Sequence, residues 1–345
     1  MLQTPPETMK AVGLKAYLPI SDEKSLLDIT LPTPKPQSRD LLVQVSAISV
    51  NPVDTKVRSP KSKLEESYRV LGWDAVGKIV AIGSDVELFE VGDEVYYAGD
   101  ITRPGSNSEY QLIDERIVGH KPKSLSNAEA AALPLTGLTA AEGLFERLEI
   151  SAETSEGKTL LIIGGAGGVG SIAIQLAKQI AGLKVIATAS RPESANWCHS
   201  LGADIVVDHH QDFAKEIRSQ GIQYVDYIFC LNTTAHHWPT MADLIQPQGK
   251  ICSIVEPEAD IDLNLLKSKS ASFTWEFMFT RSMYKTNDMI EQHRILNRIA
   301  NLIDNQKIKT SLTKVLTPIN ASNLRAAHAE IETGKTIGKI VLKDW

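Results

Sequence analysis

Between about Met9 and Lys123 the apolar residues fall in short β-branched runs broken by glycine, proline and aspartate. "LLVQVSAISV", "GKIVAIG" and "DEVYYAG" are three such runs, and segments of this length and makeup read as strands. Together they predict a small antiparallel, barrel-like β region. From about Asn127 the period changes. "LLIIGG" (Leu160–Gly165) is a short apolar strand, and after it apolar residues recur at 169, 172, 173, 176, 177 and 180, the spacing of a helix face. "KVIATA", "DIVVDH", "DYIFCLN" and "GKICSIV" continue as strands with helical stretches between them. That alternation predicts a doubly wound α/β domain with a parallel sheet covered on both faces. A polar, amphipathic helix is expected from about Arg281 to Asn305, then a strand "TKVLTPI", a helix "ASNLRAAHAEIETG" and a last strand "GKIVLKD". The mixed texture of this tail suggests that it returns to the first domain. The expected division is 1–130 with 281–345 as one domain and 131–280 as the other. "LPTPKPQ" (Leu31–Gln37) reads as a surface loop, and no internal repeat is visible.

Composition narrows the function classes without choosing among them. The 345 residues suffice for two ordinary domains, with 43% hydrophobic and 23% charged residues. A net charge of -6 argues against nucleic acid or an anionic membrane as the main partner. The start, "MLQTPPETMK", lacks the apolar core of a signal peptide, and no run is long and apolar enough to span a bilayer. Cys198, Cys230 and Cys252 stand alone, without a paired framework. The expectation is a cytoplasmic protein with three buried or inert thiols.

The most informative stretch is "LLIIGGAGGVGS". Gly165, Gly167 and Gly170 fit G-x-G-x-x-G just after a strand and at the opening of a helix, the context in which the motif binds a dinucleotide. The first glycine is expected to permit the tight turn, the second a close approach of the pyrophosphate, the third close helix–strand packing. Gly168 and Val169 complete the candidate contacts, with the helix N-terminus facing the anion. The bland alternative is a loop that needs glycine only to turn. At the end of the next strand, where an acid would bind the ribose of NAD, the chain has Ser190 and Arg191. A hydroxyl and a guanidinium suit a 2′-phosphate, so NADP is the expected cofactor. Ligands bind outside the carboxyl ends of parallel strands, which adds Asn232 and Val255 as candidates; each could equally be a turn residue.

With those motifs in view, the chain resembles the medium-chain dehydrogenase/reductase superfamily over nearly its full length. "GSDVELFEVGDEVY" (Gly83–Tyr96) looks like its first-domain signature, "LPLTGLTAAEGLF" (Leu133–Phe145) like its entry helix, and "GGAGGVG" is similar to the quinone oxidoreductase branch. The whole looks closest to bacterial zinc-type alcohol dehydrogenase-like proteins. The resemblance implies a GroES-like β-barrel domain, a Rossmann nucleotide-binding domain and a cleft between them. It also implies that Thr139 lies beside the nicotinamide. Zinc members of the superfamily carry an early Cys and a Gly-His-Glu motif. Here "ISVNPVDTK" has Val50, Asn51 and Pro52 at the first place, and "LGWDAVG" has Trp73 and Asp74 at the second. The four cysteines of a structural zinc lobe are missing too. One carboxylate cannot hold zinc without partners, so no catalytic zinc is expected. The pairs His209–His210 and His236–His237 could mimic ligands but read better as exposed or loop histidines.

"NPVDTKVR" resembles the quinone oxidoreductase segment that lines the nicotinamide pocket. By that match Asn51 bonds near the reacting carbonyl, and Asp54 and Lys56 sit at the cleft floor. Lys56 stands where that branch commonly has an aromatic hydroxyl. It could stabilise an oxyanion or donate a proton, or it could point to solvent while Asp54 caps a loop. "SFTWEFMF" (Ser272–Phe279) places Phe273, Trp275, Phe277 and Phe279 on one face of an expected strand. An apolar strand at a sheet edge is sticky unless covered. Family members commonly pair this strand across a two-fold axis, so the resemblance implies a homodimer with some of these rings near the cleft. The leading expectation is an NADPH-dependent, zinc-independent oxidoreductase passing hydride to a quinone or conjugated carbonyl. The rivals are an alcohol dehydrogenase with an unrecognised metal site, and a non-enzymatic NADPH-binding sensor or structural protein.

Overall fold

The computed structural model describes residues 5–345; residues 1–4, the start of the stretch read for a leader, lie outside the described residues. The chain divides into two compact units. One runs to Leu135 and takes in Phe279–Trp345, and the other is Thr136–Met278. The first begins with strands β1 (Thr8–Tyr17), β2 (Leu27–Pro32), β3 (Asp40–Val50) and β4 (Lys61–Val70), and continues with β5 (Ala75–Ile82), β6 (Glu94–Tyr97), β7 (Tyr110–Asp114) and β8 (Val118–His120). β1 pairs antiparallel with both β2 and β4. β3 is antiparallel to β5 and β7, and most of its residues are buried. A strand paired on both edges and covered on both faces keeps an apolar run rather than an alternation, which is what "LLVQVSAISV" shows.

The second unit holds β9 (Thr159–Ile163), β10 (Lys184–Thr188), β11 (Ile205–Val207), β12 (Val225–Cys230), β13 (Ile245–Ser253) and β14 (Ser272–Trp275). They form one sheet in the order β11-β10-β9-β12-β13-β14, and every pairing is parallel. From β9 the chain winds outward to β11, then returns to β12 on the other side of β9. This reversal is the topological switch point at which such sheets bind ligands. Phe213 and Ile217 from one helix and Trp238 and Met241 from another pack with Leu161, Ile163, Ile228 and Ile251 of the sheet. The chain then closes the first unit with β15 (Leu312–Leu316) and β16 (Lys339–Lys343). β16 lies antiparallel to β3, with Ile340 opposite Val50. The architecture is α/β, with a GroES-like β domain and a doubly wound Rossmann domain.

Three local expectations are corrected. The helix expected over 281–305 is two, Thr280–Tyr284 and Ile290–Asp304, because Lys285 takes a left-handed conformation (φ 49°) that ends the first. The strand expected through Phe279 stops at Trp275. Just beyond it Glu276 is buried and accepts from Arg147 (Nε to Oε2, 2.9 Å). Trp275 and Phe277 are exposed while Phe279 is buried against Trp73. Of the histidine pairs, His209 and His210 lie in a turn and His210 and His236 are exposed, as expected, and His237 departs from the expectation. His237 is buried on the helix Thr234–Leu244, and its ring centroid lies 4.8 Å from that of His236 and 6.3 Å from that of His209.

Candidate functional site

In the second unit the glycine-rich turn leaves β9 and enters the helix Gly168–Gln179, with Gly167 as its N-cap. Gly164 rather than Gly165 takes the left-handed conformation of the tight turn (φ 89°). Gly165 is glycine for space, since a Cβ there would stand 2.7 Å from Ala187 Cβ. At Gly170 a Cβ would meet the carbonyl oxygens of Gly164 and Gly165 at 2.5 Å, so helix and turn pack as closely as the motif requires. Ala166 to Val169 stay half-exposed, and the first backbone N–H groups of a helix have no partner inside it. The turn is therefore an anion cradle open to solvent.

Neighbouring strand ends frame it. The Gly164 N–H donates to Thr188 Oγ1 (3.0 Å) and the Gly165 N–H to Thr188 O (3.1 Å), which ties the turn to the end of β10. Ser190 and half-buried Arg191 follow directly, Arg191 being the N-cap of the helix Pro192–Ser200. Beyond β12, Leu231 donates its N–H to Ile163 O (2.9 Å), and exposed Asn232 lies past it. Thr234 Oγ1 donates to Val255 O at 2.5 Å, joining the ends of β12 and β13. Gly165, Gly167, Gly168, Val169, Gly170, Ser190, Arg191, Asn232 and Val255 thus share the carboxyl edge of the sheet around the switch point. Thr139 is buried on the helix Pro134–Ala141.

The first unit carries a different kind of site. β3 ends at Val50, and Asn51 caps the helix Pro52–Arg58, with Pro52 in its first turn. The Asn51 N–H donates to Asp54 Oδ2 at 2.7 Å. The Asn51 side chain turns away from the cap: its Nδ2 donates to Asp74 Oδ2 (2.8 Å) and its Oδ1 accepts from Lys339 Nζ (2.5 Å). Asp74 also accepts the Leu135 N–H (2.8 Å) and lies 3.2 Å from Lys339 Nζ, which donates to Val50 O at 2.8 Å. All four side chains are buried. Burial pushes the Asp54 carboxyl up to about 7, against the opposing pull of the Asn51 N–H and Lys339. Burial also raises Asp74 and lowers Lys339, while their mutual attraction works against both shifts.

Lys56 does not join this cluster. It lies exposed on the outer face of its helix, while Asp54, Thr55 and Arg58 face inward. Lys339 does join, although nothing in "GKIVLKD" marks it off from a solvated lysine. Its position follows from the pairing of β16 with β3, which brings the start of one strand beside the end of the other. Trp73, at the other superfamily zinc position, is buried against Phe279 (centroids 6.1 Å apart).

This donor set does not fit zinc. Zinc takes three or four close N, S or O ligands. Among the described residues no group of three or more His, Cys, Asp or Glu side chains could hold a metal ion. At Asp74 the carboxylate is already engaged by an amide, a backbone N–H and an ammonium, so a cationic partner is supplied by the chain itself.

Comparison with known proteins places the chain in a family. The family model for the "Alcohol dehydrogenase GroES-like domain" matches residues 37–131, and that for "Zinc-binding dehydrogenase" matches residues 201–342. A zinc-type alcohol dehydrogenase-like protein of Staphylococcus epidermidis is 45% identical over 336 residues, 97% of this chain and 99% of its own. A solved Rhizobium etli structure named for the zinc-dependent alcohol dehydrogenases is 50% identical with a TM-score of 0.93, covering 98% of each chain. The 2-methylene-furan-3-one reductase of Solanum lycopersicum is 40% identical over 217 residues, 60% of this chain and 54% of its own.

Proposed function

The chain belongs to the medium-chain dehydrogenase/reductase family of oxidoreductases, and from that membership we propose that it is an NADPH-dependent, zinc-independent reductase of conjugated carbonyls, quinones included. The observation that carries the cofactor half is the carboxyl edge of the second unit's sheet. The turn Gly164–Gly167 and the open helix start receive the pyrophosphate, Ser190 and Arg191 receive the 2′-phosphate, and Asn232 and Val255 stand on the nicotinamide side. Bound there, the nicotinamide supplies a hydride. The protein's remaining task is to orient the acceptor and to steady the negative charge that grows on its oxygen.

Asn51 offers a carboxamide donor, and the cluster behind it supplies cationic character from Lys339 rather than from a metal. Quinones and enones accept hydride readily, so positioned donors suffice without a Lewis acid. The likeness to an enone reductase favours the same substrate class. Three buried free thiols suit a reducing compartment such as the cytoplasm. The exposed rings Trp275 and Phe277, at and just past the end of an edge strand that pairs with no second strand among the described residues, suit a homodimer.

The test is oxidation of NADPH and NADH by a small quinone and a small enone, with chelator-treated protein whose residual metal has been measured. Turnover with NADPH that survives metal removal is the expected result. Turnover lost on metal removal and restored by zinc would make the protein a metal alcohol dehydrogenase. Tight NADPH binding with no turnover of either acceptor would make it a non-enzymatic NADPH-binding protein.

A further inference from the structure

Four histidines meet in the second unit. His209 and His210 occupy the turn that follows β11, and His236 and His237 stand at the start of the helix Thr234–Leu244, which follows β12. Ring centroids are 4.6 Å apart for His209 and His210, 4.8 Å for His236 and His237, and 6.3 Å for His209 and His237. None of the four rings makes a hydrogen bond among the described residues, and His209 Nδ1 is buried without a partner. Rings that hold no structural hydrogen bond can change protonation without breaking one.

Topology sets the cluster beside the candidate phosphate site. The Ala189 N–H donates to Val207 O at 3.0 Å, so the ends of β10 and β11 lie side by side. Ser190 and Arg191 come next on one strand, and Asp208, His209 and His210 on the other. Neighbouring strands are about 4.8 Å apart and successive Cα atoms about 3.8 Å, so the two sets of residues leave the sheet within about 10 Å of each other. At low salt, charges act over that distance. The carboxylates against the cluster are Asp208, which accepts the His210 N–H (2.9 Å), and Glu216, which accepts the Asp208 N–H (3.4 Å). Burial, reinforced by His210 and His236 and opposed by Asp208, holds His209 below the ordinary histidine range. Burial and the other three rings drive His237 down to about 4. These two rings are therefore neutral at pH 7 until an anion draws a proton onto the cluster.

We propose that the histidine cluster is a proton-gated anion subsite of the cofactor edge: a ring that takes a proton from water adds its charge to that of Arg191 at the 2′-phosphate of NADPH, and preference for NADPH over NADH rises as pH falls. This inference rests on the assignment of the 2′-phosphate to Ser190 and Arg191.

Titration of NADPH and NADH between about pH 6 and pH 8 at low salt, followed by nicotinamide fluorescence, tests it. The wild-type Kd for NADPH should rise about fivefold across that range, the effect of one charge on a dianion about 8 Å away in water. The Kd for NADH, which lacks the phosphate, should change by less than about twofold. The phosphate itself works in the opposite sense, since it becomes fully dianionic as pH rises past about 6 and then pairs better with Arg191. Replacing His209, His210 and His236 together by Gln should therefore flatten or reverse the NADPH trend. His237 is kept because it is buried. Should that variant fail to fold, salt tests the wild type directly: at about 1 M, where the screening length is about 3 Å, the trend should vanish as well. An NADPH preference that stays constant with pH, a triple variant with the wild-type trend, or a trend that survives 1 M salt would overturn the inference and leave the phosphate at Arg191. NADPH and NADH bound alike at every pH would overturn the phosphate assignment itself, and the inference with it.

Discussion

Asp54 is a carboxyl group with no room for charge. Burial raises its pKa from an ordinary 3.8 to about 7, so the folded protein holds a proton there that the unfolded chain releases. Stability attached to that proton is complete below pH 3.8 and is lost as pH rises toward 7. Replacing Asp54 by Asn keeps an acceptor for the Asn51 N–H and removes the titration. The stability advantage of Asp54→Asn over wild type should grow between about pH 4 and pH 7, by up to about 4 kcal/mol, and stay level above that, as urea unfolding at a series of pH values would show. A variant curve parallel to wild type would mean that Asp54 does not titrate in this window. His328 works in the opposite sense. Neither ring nitrogen has a hydrogen-bond partner among the described residues, and burial beside Arg58 drives it down to about 3, so its contribution is lost as pH falls from 6.5 toward 3. Asn51 and Asp54 could be singled out in the sequence because they sit in one recognisable segment. Lys339 could not, since its partners lie 265 and 288 positions away and only strand pairing brings them together.

At the level of elements, the glycine turn was legible because its residues are dictated by contacts within a few positions of themselves. The exception is informative: the left-handed turn falls on Gly164, one residue ahead of the motif's first glycine, while Gly165 makes room for Ala187 on the neighbouring strand. The motif records which positions lack a side chain, and tertiary packing decides the reason for each. The break at Lys285 was not legible, because a lysine in the left-handed region carries no glycine or proline signal. The early end of β14 was not legible either, since Phe277 and Phe279 continue the alternation in the sequence past Trp275. Cofactor choice belongs to this scale as well, since Ser190 and Arg191 are delivered by the junction of β10 with the helix Pro192–Ser200. Arg191→Glu should weaken NADPH binding by about 10²-fold or more while changing NADH by much less, because it places a like charge beside the 2′-phosphate. Titrations monitored by nicotinamide fluorescence would check this. Equal weakening of both cofactors would move the phosphate site elsewhere.

The whole molecule poses the question of its unpaired edge. Alternating β and α segments announced a parallel sheet, and sheet order follows from winding outward and back. The reading from sequence placed boundaries near 131 and 281, and the compact units divide after Leu135 and after Met278. What pattern alone could not supply is the fate of β14, which hydrogen-bonds to β13 and to no other strand among the described residues. Natural edges are usually blunted by lysine, proline or a bulge, yet "SFTW" has none of these, and Trp275 and Phe277 remain 45% and 46% exposed. A second copy of the same edge is the partner that such a strand fits best. Two-fold pairing is self-complementary, covers both rows of backbone groups and closes without leaving a further edge to recruit a third chain. Light scattering on the purified protein should therefore give a dimer. Trp275→Lys with Phe277→Lys would place two like charges on each facing edge, and this variant should be a monomer at concentrations where the wild type is not, with NADPH still bound because the carboxyl edge around Gly167 is untouched. A wild-type monomer, or a variant that remains dimeric, would show that the edge is protected in some other way and that the exposed rings serve another purpose.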